Sequence, residues 1–149
     1  MKIALIRPQD VPYLPRAYQL LTKVNDYLLP RCDALDLIQA CSVGEKNLWV
    51  VFEDTDDSPG LHNENIVAAA VTSVTPYPKC TMLTITALAG DRMEEWLTDL
   101  HQVLHKYRAA GGHLGLEEWG RDGWVRRLTK LGFRKSHILM EDFGDGQGF

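Results

Sequence analysis

Cysteine is scarce in this chain and falls in no pattern. The 149 residues contain three, Cys32, Cys41 and Cys80. An odd number without CxxC spacing frames neither a disulfide scaffold nor a zinc site. These thiols read as small buried or half-buried side chains in a reducing compartment. Long apolar runs are also missing, and none approaches the roughly 20 residues that span a bilayer. The apolar part of the opening MKIALIRPQD is too short for a secretory signal. Positive charge is not in excess, since 16 Lys and Arg against 20 Asp and Glu give a net charge of −4. That balance argues against broad, salt-dependent nucleic-acid binding. The expectation is a soluble cytoplasmic protein that contacts neither membrane nor nucleic acid.

What is present is ordinary globular material. Hydrophobic residues make up 45% and charged residues 24%, enough for one domain with a real core. Lys2–Ile6 reads as a first strand. Asp10 can cap a helix with Pro12 and Pro15 in its first turns and Leu14, Ala17, Tyr18, Leu21 and Val24 at helical spacing. A second helix follows Asp33, with Leu35, Ile38 and Cys41 toward the core and Gly44 as its stop. The β-branched and aromatic run Asn47–Glu53 is a strand. The polar connection 54–65 reads as a long, mobile hairpin loop. Ile66–Thr75 and Lys79–Ala87 are two more strands, broken by the prolines of TPYP.

The clearest signal is Asp91–Ala110. Met93, Trp96, Leu97, Leu100, Val103, Leu104 and Tyr107 form one apolar stripe, and Gly111-Gly112 stops the helix. His113–Trp119 is a strand. Asp122 can open a short helix carrying Trp124, Val125, Leu128 and Leu131, with Gly132 at its end and Phe133 packing back. Arg134–Phe143 is a last strand. The fold class is therefore α/β, an α+β mixed twisted sheet of about six strands with helices on both faces. One domain spans 1–143, and 144–149 is a frayed tail.

This order resembles the GNAT superfamily, the Gcn5-related N-acetyltransferases. Leu128-Thr129-Lys130-Leu131-Gly132-Phe133 is similar to the Tyr-x-Lys-Leu-Gly-Phe ending of that family's last helix. The resemblance implies that two neighbouring strands splay around acetyl-CoA. Its pyrophosphate would rest on backbone N–H groups at the start of the long helix. The corresponding stretch is Ala87, Leu88, Ala89, Gly90 and Arg92. The family's paired small residues are replaced there by Met93, Glu94, Glu95 and Trp96. Asp91, Glu94 and Glu95 read as self-capping of a helix that expects no anion. Leu128 stands where family members often place a tyrosine acid, and it cannot donate a proton. Glu117 or Glu118, neighbours on a strand, is the candidate general base, and only one of them can face the cleft.

Trp119-Gly120-Arg121-Asp122-Gly123-Trp124, with the earlier Leu48-Trp49-Val50 strand, looks like GNAT-like proteins of short-tailed phages and prophages. That resemblance implies a virion or assembly role without acetyl transfer. Gly120, Arg121, Gly123 and Trp124 would then contact phage virion or assembly proteins. The setting would be the host cytoplasm or the particle, with self-association also open and no cofactor expected. The alternative is an acetyl-CoA-dependent N-acetyltransferase with a degenerate pyrophosphate loop. His101 and His105 have the i, i+4 spacing of a metal pair, but no third ligand is evident, so no metal is expected. Trp96, Trp119 and Trp124 are candidates for an aromatic docking patch, Trp96 being the one that the helical stripe draws into the core. Arg126, Arg127, Lys130, Arg134 and Lys135 read as the solvated side of the last helix and strand.

Overall fold

A computed structural model describes residues 1–120 and 122–144 of the chain. Strand β1 (Lys2–Ile6) leads through a 3-10 turn, Pro8–Tyr13, to helices α1 (Pro15–Leu21), α2 (Asn25–Leu28) and α3 (Ala34–Ser42). Strands β2 (Asn47–Phe52), β3 (Ile66–Tyr77) and β4 (Cys80–Gly90) follow. Helix α4 (Leu97–Ala110), strand β5 (Gly115–Glu118) and helix α5 (Asp122–Lys130) complete the described elements. The strands lie in sequence order in one sheet, antiparallel from β1 to β4, with β5 parallel to β4. A parallel pair needs a long crossover, and α4 supplies it.

Both faces of the sheet are buried, which explains why β2 reads as a continuous apolar run. Leu48 and Val50 turn to one face, where Leu20 and Leu21 of α1 and Leu37 of α3 cover them. Trp49 and Val51 turn to the other, under Trp96, Leu100 and Leu104. The stripe from Met93 to Tyr107 packs on that second core as its spacing predicts. Trp124, Leu128 and Phe133 join the same core from α5 and its exit.

Several expectations need correction. No sixth strand forms among the described residues. Residues 134–143 have no regular structure, and Ile138, Leu139, Met140 and Phe143 are 72%, 59%, 88% and 46% exposed. Asp10 caps nothing. It sits inside the 3-10 turn and pairs with Arg7 at 2.8 Å. Helix α3 follows Asp33 as expected, and Asp33 caps it through a box with Asp36, but the helix buries Ala34, Leu37 and Cys41 and leaves Leu35 exposed. The apolar spacing was compatible with either phase, and packing chose the one that buries Ala34. The prolines break β3 later than expected, because Pro76 pairs with Thr81 inside the hairpin and the strand runs on to Tyr77. The connection 54–65 is tied down, with Asn65 Nδ2 donating to the carbonyls of Glu53 and Gly60 at 3.0 and 2.7 Å. Residues 145–149 of the expected tail lie outside the described residues.

Candidate functional site

The feature that organises the site is a seam between β4 and β5. Their ladder runs from Met82–Gly115 to Ile85–Glu118 and stops. Strand β4 continues to Gly90 with β3 as its only strand partner among the described residues. Ala87, Leu88, Ala89 and Gly90, expected in a phosphate-binding loop, are thus the end of a strand. A bulge lies where the ladder parts. Val71 pairs with Ala87 and Thr72 with Ile85, which leaves Thr86 as an extra residue. A bulge bends and twists its strand, and here the bend coincides with the parting from β5.

Gly90 is required by packing. A Cβ there would lie 2.4 Å from the Cβ of Ala68 and 2.7 Å from the carbonyl oxygen of Val67. The missing side chain lets β4 close on β3, and that alone accounts for the glycine.

The approach to α4 is crowded with its own charges. Arg92 has left-handed backbone geometry, with φ at 57°. Its guanidinium meets Glu95 at 2.6 Å and Glu53, from the end of β2, at 2.8 Å. These contacts hold both carboxyls below their ordinary range and push the Arg92 guanidinium further up. Asp91 pairs with Lys23 at 3.4 Å. Three backbone N–H groups before α4 are engaged as well. Asp91 donates to Val67, Glu95 to Arg92 and Trp96 to Met93. The expected self-capping does not occur, because α4 starts at Leu97 with no side-chain cap and Met93–Glu95 forms a separate 3-10 turn. The carboxylates neutralise Arg92 instead. A pyrophosphate here would have to displace two carboxylates from Arg92 and would face Glu94 as well. Arg92 is thus already paired at the place where the family resemblance would seat a diphosphate.

Glu117 and Glu118 project to opposite faces, as strand alternation requires. Glu117 lies on the α1 side. Its Oε1 accepts from the hydroxyls of Tyr77 and Thr84, both at 2.8 Å. Thr75 and Thr84 share a bond of 2.6 Å, and Ser73 and Thr86 one of 3.4 Å. This hydroxyl-rich face was missed from the sequence, although alternate polar residues on β3 and β4 carry its signal. Glu118 lies on the α4 side with Leu116. The residue is half-buried, yet Oε2 is sealed from solvent with no hydrogen-bond partner among the described residues. Burial pushes its pKa up to about 7.

The motif after β5 is split by the fold. Trp119 is 68% exposed, whereas Trp124 is 7% exposed and packs in the α4 core. A Cβ on Gly120 would meet the Trp124 side chain at 3.4 Å, and one on Gly123 would meet open space. Arg121 lies outside the described residues. Of the three tryptophans, only Trp119 offers an exposed ring. His101 and His105 are half-buried and stack edge to face at 4.6 Å, with Phe133 5.5 Å from His101. Burial lowers the pKa of both, so the pair is part of the packing of α4. Among the described residues no group of three His, Cys, Asp or Glu side chains can hold a metal ion. No helix there is long and apolar enough to cross a membrane. Cys41 is buried, and burial raises its thiol pKa to about 11, which makes it a poor nucleophile.

Neither a protein-family profile nor any curated protein matches the chain by sequence. Solved structures do match. A tetramutant of the BH1408 protein from Bacillus halodurans has a TM-score of 0.67 at 18% identity, over 95% of this chain and 98% of that one. An aminoglycoside acetyltransferase from an uncultured soil metagenomic sample, in complex with sisomicin, gives 0.65 at 13% identity over 96% and 95%. Glucosamine-6-phosphate N-acetyltransferase from Arabidopsis thaliana gives 0.64 at 14% identity over 95% and 97%. The mixed sheet, the β4–β5 seam and these superpositions define a GNAT fold. At such identities the likeness carries the fold, and function has to be argued from the site.

Proposed function

We propose that this chain is a GNAT-fold docking protein that does not transfer acetyl groups. The observation that carries the reading is Arg92, bound by Glu53 and Glu95 at the place where the fold would seat a pyrophosphate. A charged group a few ångströms from a like charge costs on the order of 1 kcal/mol or more near a surface. Glu94 and Glu95 therefore disfavour a diphosphate that also finds Arg92 neutralised. Protein contacts are the remaining use of the fold, and Trp119 with the exposed apolar residues after α5 offers surface for them. The setting we infer is virion assembly of a short-tailed phage, and what supports it is the resemblance of Trp119–Trp124 to phage GNAT-like sequences. Calorimetric titration with acetyl-CoA and with CoA tests the first half. The expected result is no binding up to millimolar ligand, and micromolar binding overturns it. Mass spectrometry of purified particles and assembly intermediates tests the setting, which fails if the protein is absent from both.

A second reading rests on Glu118. A carboxyl with a pKa near 7, at the apex of the seam, has the proton affinity of a general base. Release of free thiol from acetyl-CoA in the presence of an amine, abolished by Glu118→Gln, would place the chain among the acetyltransferases.

A further inference from the structure

The connection between β2 and β3 brings together a hydroxyl, an imidazole and a carboxylate. Ser58 Oγ meets His62 Nε2, and His62 Nδ1 lies 3.2 Å from Glu64 Oε2. The Glu64 carboxyl is held below its ordinary range by its own backbone N–H and by His62, so it is ionised at neutral pH. An ionised carboxylate only accepts, so the ring proton sits on Nδ1. Nε2 is then an acceptor, and the Ser58 hydroxyl donates to it. Those three groups in that order are the parts of an activated serine, and they are known by their geometry on whatever fold carries them.

The loop fixes its own backbone around these groups. Ser58 N–H donates to Thr55 Oγ1 at 3.0 Å, His62 N–H to Asn65 Oδ1 at 3.1 Å and Gly60 N–H to Asp54 Oδ1 at 2.7 Å. A nucleophile also needs room for a substrate beside it. Ser58 and Glu64 line an open cleft of about 270 Å³ with Arg16, Glu53, Thr55 and Asn65. Arg16 Nε donates to the Ile66 carbonyl at 3.0 Å, and its guanidinium has no carboxylate partner among the described residues. Glu53 is taken up by Arg92, so Arg16 and Glu64 leave the lining near neutrality.

We propose that Ser58, His62 and Glu64 form a hydrolytic centre that cleaves uncharged esters of short-chain acids. The cleft is smaller than the roughly 300–1,000 Å³ of ordinary ligand sites, which limits the acyl group, and its balanced charge favours an uncharged substrate. Ser58 Oγ bonds to the ester carbonyl carbon while its proton passes to His62 Nε2. Arg16 offers its remaining N–H donors to the carbonyl oxygen as that atom takes up charge. The carbon–oxygen bond to the alcohol then breaks, and the alcohol leaves with the proton from His62. Water repeats the exchange on the acyl-serine. Its proton goes to His62, its oxygen bonds to the acyl carbon, and Ser58 leaves with that proton. Ester and water become acid and alcohol, with nothing oxidised or reduced. Glu64 is exposed and screened by water, so it acts as a positioning residue that fixes the ring tautomer. This chemistry uses no acetyl-CoA and is independent of the docking reading.

Treatment of the full chain with a fluorophosphonate, followed by peptide mass spectrometry, tests the proposal. The expected result is a single adduct on Ser58. His62→Ala should slow its formation by about 100-fold or more, with native circular dichroism. Glu64→Gln should lower the maximal labelling rate by about tenfold and leave the half-saturating probe concentration unchanged, a split that mere loosening of the loop would not give. With p-nitrophenyl acetate the parent chain should release nitrophenol faster than Ser58→Ala does. No adduct, or an adduct on another residue, overturns the centre. So does labelling of Ser58 that His62→Ala does not slow, or nitrophenol release equal to that of Ser58→Ala.

Discussion

The two ends of the seam solve opposite electrostatic problems. At the start of α4 the charges are exposed and complete, with Arg92 held by Glu53 and Glu95 and with Asp91 held by Lys23. At the end of β5 a carboxylate is buried and incomplete, with Glu118 Oε2 sealed and unpartnered among the described residues. Exposed pairs of the first kind contribute little to stability and are easily rearranged. A buried group of the second kind is costly and is kept only if something else holds it. The start of α4 is thus held by cheap surface contacts. An expensive proton-binding position a few residues along the other strand has been left in place. The charge pairing at the start of α4 and the burial of Glu118 are therefore independent features.

The comparison can be broken from its floor upward. Trp96 underlies the charged end, being 1% exposed and donating from Nε1 to the Asp91 carbonyl at 2.6 Å. Trp96→Ala should cost about 3–5 kcal/mol in urea unfolding, and it should release the Met93–Glu95 turn. Glu118 gives the next effect. Its folded pKa of about 7 lies above the ordinary value of 4.5, so the folded chain holds the extra proton between the two. Its contribution is thus most favourable below about pH 4.5 and is lost as pH rises through 7, on the order of 2–3 kcal/mol in all. Glu118→Gln should flatten that slope and unfold later than the parent at pH 8. An unchanged slope would mean that the carboxyl is solvated after all.

Gly90→Ala should come third, at about 1–3 kcal/mol, because the added methyl meets the backbone of Ala68 and has no flexible neighbour to displace. Differential scanning calorimetry reads it directly. The smallest effect belongs to the hydroxyl face. Thr84→Val removes the bonds to Glu117 and Thr75 and should cost about 1 kcal/mol or less in the same measurement. A larger loss there would shift attention from the buried carboxylate to the one on the α1 side.

The long amphipathic helix, the strand alternation that separates Glu117 from Glu118 and the Gly132 stop were legible in the sequence because each is a local, periodic signal. The seam was legible only through family resemblance, since the bulge at Thr86 arises from pairing with β3 and leaves no mark in β4 alone. The Arg92 cluster was hidden for a similar reason. Glu53 is thirty-nine residues away, and only the sheet order β2-β3-β4 brings it near. The segment 134–143 misled in the other direction. Its composition is that of a strand, but a strand needs a partner, and composition does not name one.

The bulge also has a genetic consequence. Because Thr86 is the one surplus residue in β4, removing its codon would leave every side chain before and after it on the face it now occupies. Leu83 and Ile85 would still face α4, Ala87 would still face α1, and Leu88 would still face α4. The strand behaves like a text with one extra letter between two intact words. A single in-frame deletion could straighten β4 along β5 without rewriting either core. The opening of the seam would then change while both cores kept their side chains.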